Sequence, residues 1–459
     1  MALPLDVVIL AAGHGKRMRS ALPKVLHLLA GRPLAAYVLA TVRALAPRAI
    51  AVVTGHAAER VERELGALDL IFVRQEPPRG TGDAARIALS VLPPDGITLV
   101  GFGDVPLVSI DALRSIAAIA QSGRVGVLSA RVQNPVGLGR VIRSADGHVT
   151  AIVEERDATP EQRAIDEINT GFIAAPTHRL KPWLERLTPQ NAQGEFYLTD
   201  IVAMAVAEGV GVGAHRVTDE ASILGINDRT QLAALERTVQ VRKATALMIA
   251  GTSILDPARI DIRGELACGR DVTIDVGCVF EGAVRLEDGA SVGPYCVLRD
   301  VTVGPGTRVE AFSHVDSAII GRNCRIGPYA RLRPGTKLAE DVHIGNFVEV
   351  KASTLGVGSK ANHLAYVGDS VLGSRVNFGA GSITANYDGA NKHQSLIGDD
   401  VHVGSNCVLI APITIGDGAT IGGGSTVVQE APAGQLTVAR PRQVSIARWQ
   451  RPRKKARPE

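Results

Sequence analysis

Two groups of residues in this chain have types and spacing that could do chemistry. The first begins where an apolar run, LDVVIL, enters the loop AAGHGKRM, which holds Gly13, Gly15, Lys16 and Arg17, with Lys24 a little further on. Glycines let backbone N–H groups approach phosphate oxygens, and Lys and Arg add positive charge. The third glycine of the dinucleotide fingerprint is missing, since Met18 holds its place, and GxxxxGK[ST] is missing too. The spacing alone allows a phosphate loop or a plain tight turn. A second apolar run, ITLVGF, ends at Gly103-Asp104. A lone Asp there can cap a helix. Beside a phosphate loop it is also a hard oxygen ligand suited to Mg2+. Gln75 and Gly80-Thr81-Gly82 follow a third run and could shape a base or sugar pocket.

The second group lies between residues 351 and 396: Lys351, His363, Tyr366, Asn377, Asn386-Tyr387 and Lys392. A lone His is more often structural than catalytic. Several polar residues in one stretch suggest a site on loops leaving a rigid body.

The elements that position these groups differ. In the first half, apolar runs (5–10, 49–54, 70–74, 97–102) alternate with helical patterns (33–45, 81–92). That alternation predicts a parallel sheet with helices on its faces, where ligands bind at the carboxyl ends of strands. Residues 229–250 contain neither Gly nor Pro, with Asp228 as a candidate N-cap and Gly251 at the end. They read as a helix joining two halves, or as one more core helix of the first.

The second half is periodic. Every sixth residue is apolar in three series: Ile274, Phe280, Leu286, Val292, Leu298; Ile326, Leu332, Leu338, Ile344, Val350; and Ile397, Val403, Leu409, Ile415, Ile421, Val427. A six-residue period is the mark of a β-helix. The period breaks between about 351 and 396, where the second polar group lies. The predicted domains are 1–228, a linking helix at 229–250, and 251–459.

Composition agrees with a stacked aliphatic core. Of 49 glycines, 28 fall in residues 251–434, and the chain has only 16 aromatic residues. All five cysteines lie in the periodic half without a CxxC pair, so zinc and redox motifs are unsupported. Four of them (Cys278, Cys296, Cys324, Cys407) come four residues after a period apolar and read as core filler. The net charge of +4 resides in a tail, since residues 440–459 carry +7. A nucleic-acid partner is therefore not expected. No apolar run reaches the roughly 18 residues of a membrane span, and the N-terminus lacks a signal-peptide pattern. A cytosolic protein is expected.

Taken together, VVILAAGHGKRM, LPKVLH, RGTGDA, GDVPL, GLGRV, VEERDAT, EINTGF, GEFYLTD and LGIND resemble a nucleoside-triphosphate:sugar-1-phosphate nucleotidyltransferase. Their order and spacing are similar to the uridylyltransferase half of the bacterial bifunctional N-acetylglucosamine-1-phosphate uridylyltransferase/glucosamine-1-phosphate N-acetyltransferases. The resemblance implies a Rossmann-like α/β domain. It implies a UTP and UDP-sugar site at Leu10, Ala11, Ala12, Gly13, Arg17, Lys24, Gln75, Gly80, Thr81, Phe102, Gly103 and Asp104, with sugar contacts from Gly139, Glu154, Asn169 and Asn227. Asp104 and Asn227 would hold Mg2+. Two departures stand out: Lys16 where the loop usually has Thr, and Asp83 where similar sequences often have His.

RLRPG, GNFVEVKAS, KANHLAYVGD and NFGAGSITANYDGANK resemble the acetyltransferase half of the same family. That likeness implies an all-β left-handed parallel β-helix and His363 as general base. It implies sugar-phosphate contacts from Arg333, Lys351, Tyr366, Asn377 and Lys392. Acetyl-CoA would lie against Ala380, Asn386, Tyr387, Ser405, Gly423 and Arg440. The implied reactions are acetylation of glucosamine 1-phosphate, then uridylyl transfer from UTP to N-acetylglucosamine 1-phosphate. Family members assemble as homotrimers with acyl-CoA between subunits.

Overall fold

Leu5–Leu10 is aliphatic except at Asp6, and five of its six residues are buried. Burying Asp6 requires a partner. Arg48 supplies it, with Nη2 donating to Oδ2 at 2.6 Å. The computed structural model, which describes residues 3–13, 15–66 and 69–452, places this strand inside a twisted sheet. The order is Val212–Val217, Val125–Arg131, Glu167–Pro176, Ile97–Phe102, Leu5–Leu10, Ala49–Thr54, Ile71–Arg74. Apolar clusters cover both faces. The predicted parallel sheet is mixed along this order, since Glu167–Pro176 runs antiparallel to both of its neighbours. It is reached through a hairpin, Arg140–Arg143 with Val149–Val153, and one helical turn, Pro160–Arg163.

Arg229–Ile249 is one helix. Asp228 Oδ1 accepts from the backbone N–H groups of Thr230 and Gln231, at 2.9 Å each. Beyond the helix, Gly251 adopts a φ of +105°. The chain divides into two units, Met1–Val239 and Gln240–Glu459, and the division falls inside this helix.

The second unit is a parallel β-helix. All sixteen residues of the six-residue series point inward and are at most 4% exposed. In successive coils Ile274 pairs with Val292 and Val292 with Val309. The first of these coils has three six-residue sides, and the second falls short of that by one. The coil does not stop where the sequence period does. Val350, Leu355, Ala361, Val367, Leu372 and Phe378 remain inside. A shortened coil has one five-residue side, which slips the hexad phase by one and hides the repeat. The real interruption is a single longer coil, in which Phe378 pairs with Val403. The extra chain is an excursion at residues 386–394, where Tyr387 bridges Lys392.

The four predicted filler cysteines are buried, and all five are free thiols. Each of the four donates its Sγ–H to a backbone carbonyl: Cys278 to Gly293, Cys296 to Glu310, Cys324 to Ala339 and Cys407 to Gly422. The basic tail from residue 453 onward lies outside the described residues.

Candidate functional site

In the first unit the sheet brings three loops together. Gly103 N donates to Leu10 O at 3.0 Å, which joins the first loop to the Asp104 turn. Ile226 N donates to Asp104 O at 3.0 Å, which adds the Asn227 segment. Lys24 sits on a short 3-10 turn, Lys24–Leu26. Its Nζ pairs with Asp104 Oδ2 and reaches Asn227 Oδ1 at 3.3 Å. A carboxylate oxygen and an amide oxygen therefore converge on one cation. Gly15 has a φ of +57°, and a Cβ there would stand 2.8 Å from Lys24 Cβ. Glycine at that position is thus required for the loop to close over the lysine. Gly13 faces open space, as a backbone that approaches phosphate must. Ala11 N is already engaged, donating to Val53 O at 2.8 Å. Arg17 is exposed on the turn Lys16–Met18.

Gln75 extends the strand edge, its N donating to Thr54 O at 2.8 Å, and its side chain is buried. Its Nε2 donates to Gly80 O at 3.1 Å and to Asp83 Oδ2 at 2.8 Å. Thr81 starts the helix Thr81–Leu89, and its Oγ1 accepts from Leu198 N at 3.0 Å. Gly139, Glu154 and Asn169 meet near one another. Asn169 N donates to Gly139 O at 2.8 Å, and a Cβ on Gly139 would lie 3.3 Å from the Glu154 carboxylate. Burial raises the Glu154 carboxyl above its usual range, against the hydrogen bond from Thr199 Oγ1 at 3.1 Å. Phe102 is half-buried beside Gly171, where any Cβ would strike its ring.

In the second unit the β-helix builds a column at one corner. Asn346 pairs with His363 one coil on. Ala380, Ser405 and Gly423 occupy the equivalent place in later coils, two residues after the paired Phe378, Val403 and Ile421. Three rungs at ~4.8 Å put Gly423 about 14 Å from His363. His363 is exposed, and its Nδ1 lies 2.9 Å from Asn346 Oδ1. Arg440 Nη1 donates to Gly423 O at 2.7 Å.

A cationic cluster forms on an adjoining face. Arg333 Nη1 meets Glu349 Oε1 at 2.8 Å, and Lys351 Nζ meets Asp369 Oδ2 at 3.2 Å. Asn386 Nδ2 donates to the same Asp369 oxygen and to Tyr366 OH, the latter at 3.3 Å. The Lys351 ammonium holds Lys392 below the ordinary lysine value. The side chains of two sequence-predicted residues bond outside this cluster. Asn377 bonds His402 Nδ1 at 3.1 Å, and Tyr387 OH donates to Gly389 O at 2.6 Å. Three participants were not singled out from sequence: Asn346, Glu349 and Asp369. The coil repeat was the available signal. One coil onward from Asn346 stands His363, and one coil onward from Lys351 stands Gly368, next to Asp369.

An α/β unit of this kind followed on one chain by a hexapeptide-repeat β-helix defines a nucleotidyltransferase with a β-helical second unit. Models of the MobA-like NTP transferase domain, the GMPPB C-terminal domain and the bacterial transferase hexapeptide (six repeats) match residues 7–167, 262–355 and 395–429. The bifunctional protein GlmU of Methylibium petroleiphilum is 54% identical over 458 residues, covering 98% of this chain and 100% of its own. Those of Azoarcus sp. (54% over 448 residues; 98% and 99% covered) and Nitrosospira multiformis (53% over 456; 99% and 99%) are similar. The chain belongs to the bifunctional GlmU family, and it is both a uridylyltransferase and an acetyltransferase. Among the described residues no helix is long and apolar enough to cross a membrane.

Proposed function

We propose a division of labour for the two reactions of UDP-N-acetylglucosamine synthesis that this chain catalyses. In the second unit the amine of glucosamine 1-phosphate attacks the acetyl carbonyl of acetyl-CoA. His363 takes the amine proton, and the coenzyme A thiolate leaves. With Nδ1–H donated to Asn346 Oδ1, the His363 Nε2 lone pair is free to act as general base. Arg333, Lys351 and Lys392 receive the sugar phosphate, and Tyr366 and Asn377 the sugar. Acetyl-CoA runs down the corner of small residues at Ala380, Ser405 and Gly423, flanked by Asn386, Tyr387 and Arg440.

In the first unit a phosphate oxygen of N-acetylglucosamine 1-phosphate attacks the α-phosphorus of UTP, and pyrophosphate leaves. The nucleophile is already an anion, so positioning and charge neutralisation do the work. The backbone from Leu10 to Gly13, with Arg17 and Lys24, faces the phosphates. Gln75, Gly80 and Thr81 receive the nucleoside. Gly139, Glu154 and Asn169 receive the sugar. Asp104 and Asn227 suit Mg2+, because their oxygens already share one cation, Lys24. Mg2+ commonly takes one or two protein oxygens and leaves its other positions to phosphate and water. When bound, the ion neutralises charge on the phosphates. A homotrimer in the cytosol belongs to the same reading.

The observation that carries the proposal is the His363–Gly423 column beside a cluster of three cations. His363→Ala should abolish acetyl transfer and spare uridylyl transfer, and Asp104→Ala should do the reverse. Loss of uridylyl transfer in His363→Ala, with acetyl transfer intact, would overturn it.

A further inference from the structure

Asp83 lies outside the chemistry derived so far, yet it is buried beside the nucleotide site. Its side chain is 4% exposed, and Arg86 Nη2 meets Oδ1 at 2.5 Å. Its other oxygen, Oδ2, accepts from Gln75 Nε2 at 2.8 Å. An ionised carboxylate accepts hydrogen bonds and donates none. The amide of Gln75 therefore has one allowed orientation, with its NH2 end toward Asp83. The second hydrogen of that NH2 goes to Gly80 O at 3.1 Å. Both donors of Gln75 are spent on the protein. Its Oε1 receives no hydrogen bond among the described residues, and it is not one of the sealed atoms that lack a partner.

We propose that Asp83 is a positioning residue for base selection, because it locks Gln75 to present an acceptor, and only an acceptor, to the nucleobase. The inference rests on the reading that Gln75 meets the base. Uracil carries a single donor on its pairing edge, the N3–H between two carbonyl oxygens. Gln75 Oε1 therefore accepts from N3–H. Cytosine offers a lone pair at N3, so two acceptors would face each other there. A residue at position 83 able to donate as well as accept would leave Gly80 O as the one acceptor opposing a turned amide, and so would weaken that distinction.

The test uses the full-length enzyme with Mg2+, assayed by pyrophosphate release. The substrates are UTP, CTP and 3-deaza-UTP, in which a C–H replaces N3–H without added bulk. Wild type should show a KM for 3-deaza-UTP about tenfold above that for UTP, the range of one hydrogen bond to an acceptor otherwise left unpaired. In Asp83→Asn, the preference for UTP over 3-deaza-UTP and CTP should shrink by about threefold or more. The change should appear in KM, with kcat for saturating UTP nearly unchanged. A purely structural role would instead lower kcat or the melting temperature without altering the base preference. Gln75→Ala separates the two levels of the argument. If it leaves the UTP preference intact, Gln75 does not read the base. If it abolishes the preference while a folded Asp83→Asn keeps it, only the role of Asp83 fails. Should Asp83→Asn not fold, equal use of UTP and 3-deaza-UTP by wild type still overturns the proposal.

Discussion

At one corner of the β-helix, the residue three places after each inward aliphatic has a positive φ. Gly277, Gly381 and Gly424 fill it in some coils (φ +73°, +72°, +75°), but Tyr295, Phe312, Tyr329 and Phe347 fill it in four consecutive ones (+56° to +59°). A left-handed conformation costs a residue with a Cβ about 1–2 kcal/mol. Stacking offsets that cost. Phe312 lies between Tyr295 and Tyr329, with ring centroids 5.3 and 5.0 Å away and planes within 10°. Each such pair contributes about 0.5–1.5 kcal/mol. Phe312→Ala loses both pairs and keeps the strain, so it should cost ~1–3 kcal/mol. Phe312→Gly loses the same pairs but sheds the strain, less ~0.5–1 kcal/mol for the added freedom of the unfolded glycine. The glycine variant should therefore be the more stable of the two by up to ~1.5 kcal/mol, the reverse of their usual order in regular structure. With about 2–4 °C per kcal/mol for a domain of this size, the alanine variant should melt about 2–12 °C below wild type. The assay is calorimetry, with the transition assigned by loss of acetyl transfer and uridylyl transfer as internal control. A glycine variant that melts below the alanine variant refutes the strain argument.

Chelation of divalent metal should stop uridylyl transfer, leave acetyl transfer running, and be reversed by Mg2+; an acetyl-transfer rate that falls in parallel would count against the assigned metal site. Burial pushes the Cys278 thiol up to about 11 and Cys296 up to about 12, so thiol reagents at neutral pH should modify them only as fast as the protein unfolds. Cys407→Ser should be tolerated within ~1 kcal/mol, because Ser382 and Ser425 hold the same slot and bond carbonyls at 2.8 and 2.6 Å; thermal melting checks it. Lys392 is held below the ordinary lysine value by Lys351, so it loses its charge earlier as pH rises. Inhibition by N-acetylglucosamine 1-phosphate, a product without the titrating amine, should weaken at alkaline pH, and Lys392→Arg should flatten that dependence.

The period-six residues and the Leu5–Leu10 and Ile97–Phe102 strands were legible because each is a regular aliphatic pattern buried by one kind of contact. Hidden features had specific causes. A five-residue side slips the phase, so Leu355, Ala361 and Leu372 looked like a broken repeat while remaining inside. Glu167–Pro176 runs antiparallel to both neighbours, and the apolar pattern of a strand does not carry its direction. Asn346, Glu349 and Asp369 act across coils, and a partner one whole coil away along the chain leaves no local signature. Asp83 was visible as an oddity, but its meaning needed the position of Gln75.

The two sites share an electrostatic arrangement despite unrelated folds. Each principal cation assigned to a phosphate leans on a carboxylate: Lys24 on Asp104, Arg333 on Glu349, Lys351 on Asp369. Lys24, Lys351 and Asp369 are mostly buried, where an unpaired charge is expensive and a long flexible lysine otherwise samples many rotamers. The carboxylate fixes the ammonium before the phosphate arrives, so less ordering remains when the reacting groups come together. It also lowers the net positive charge that would otherwise hold the phosphorylated product. An enzyme that neutralises charge mainly by position needs both effects, since binding substrate and transition state equally well adds nothing to the chemical step. Pairing each cation with a nearby acid is a way to obtain them on a sheet edge and on a stacked coil alike.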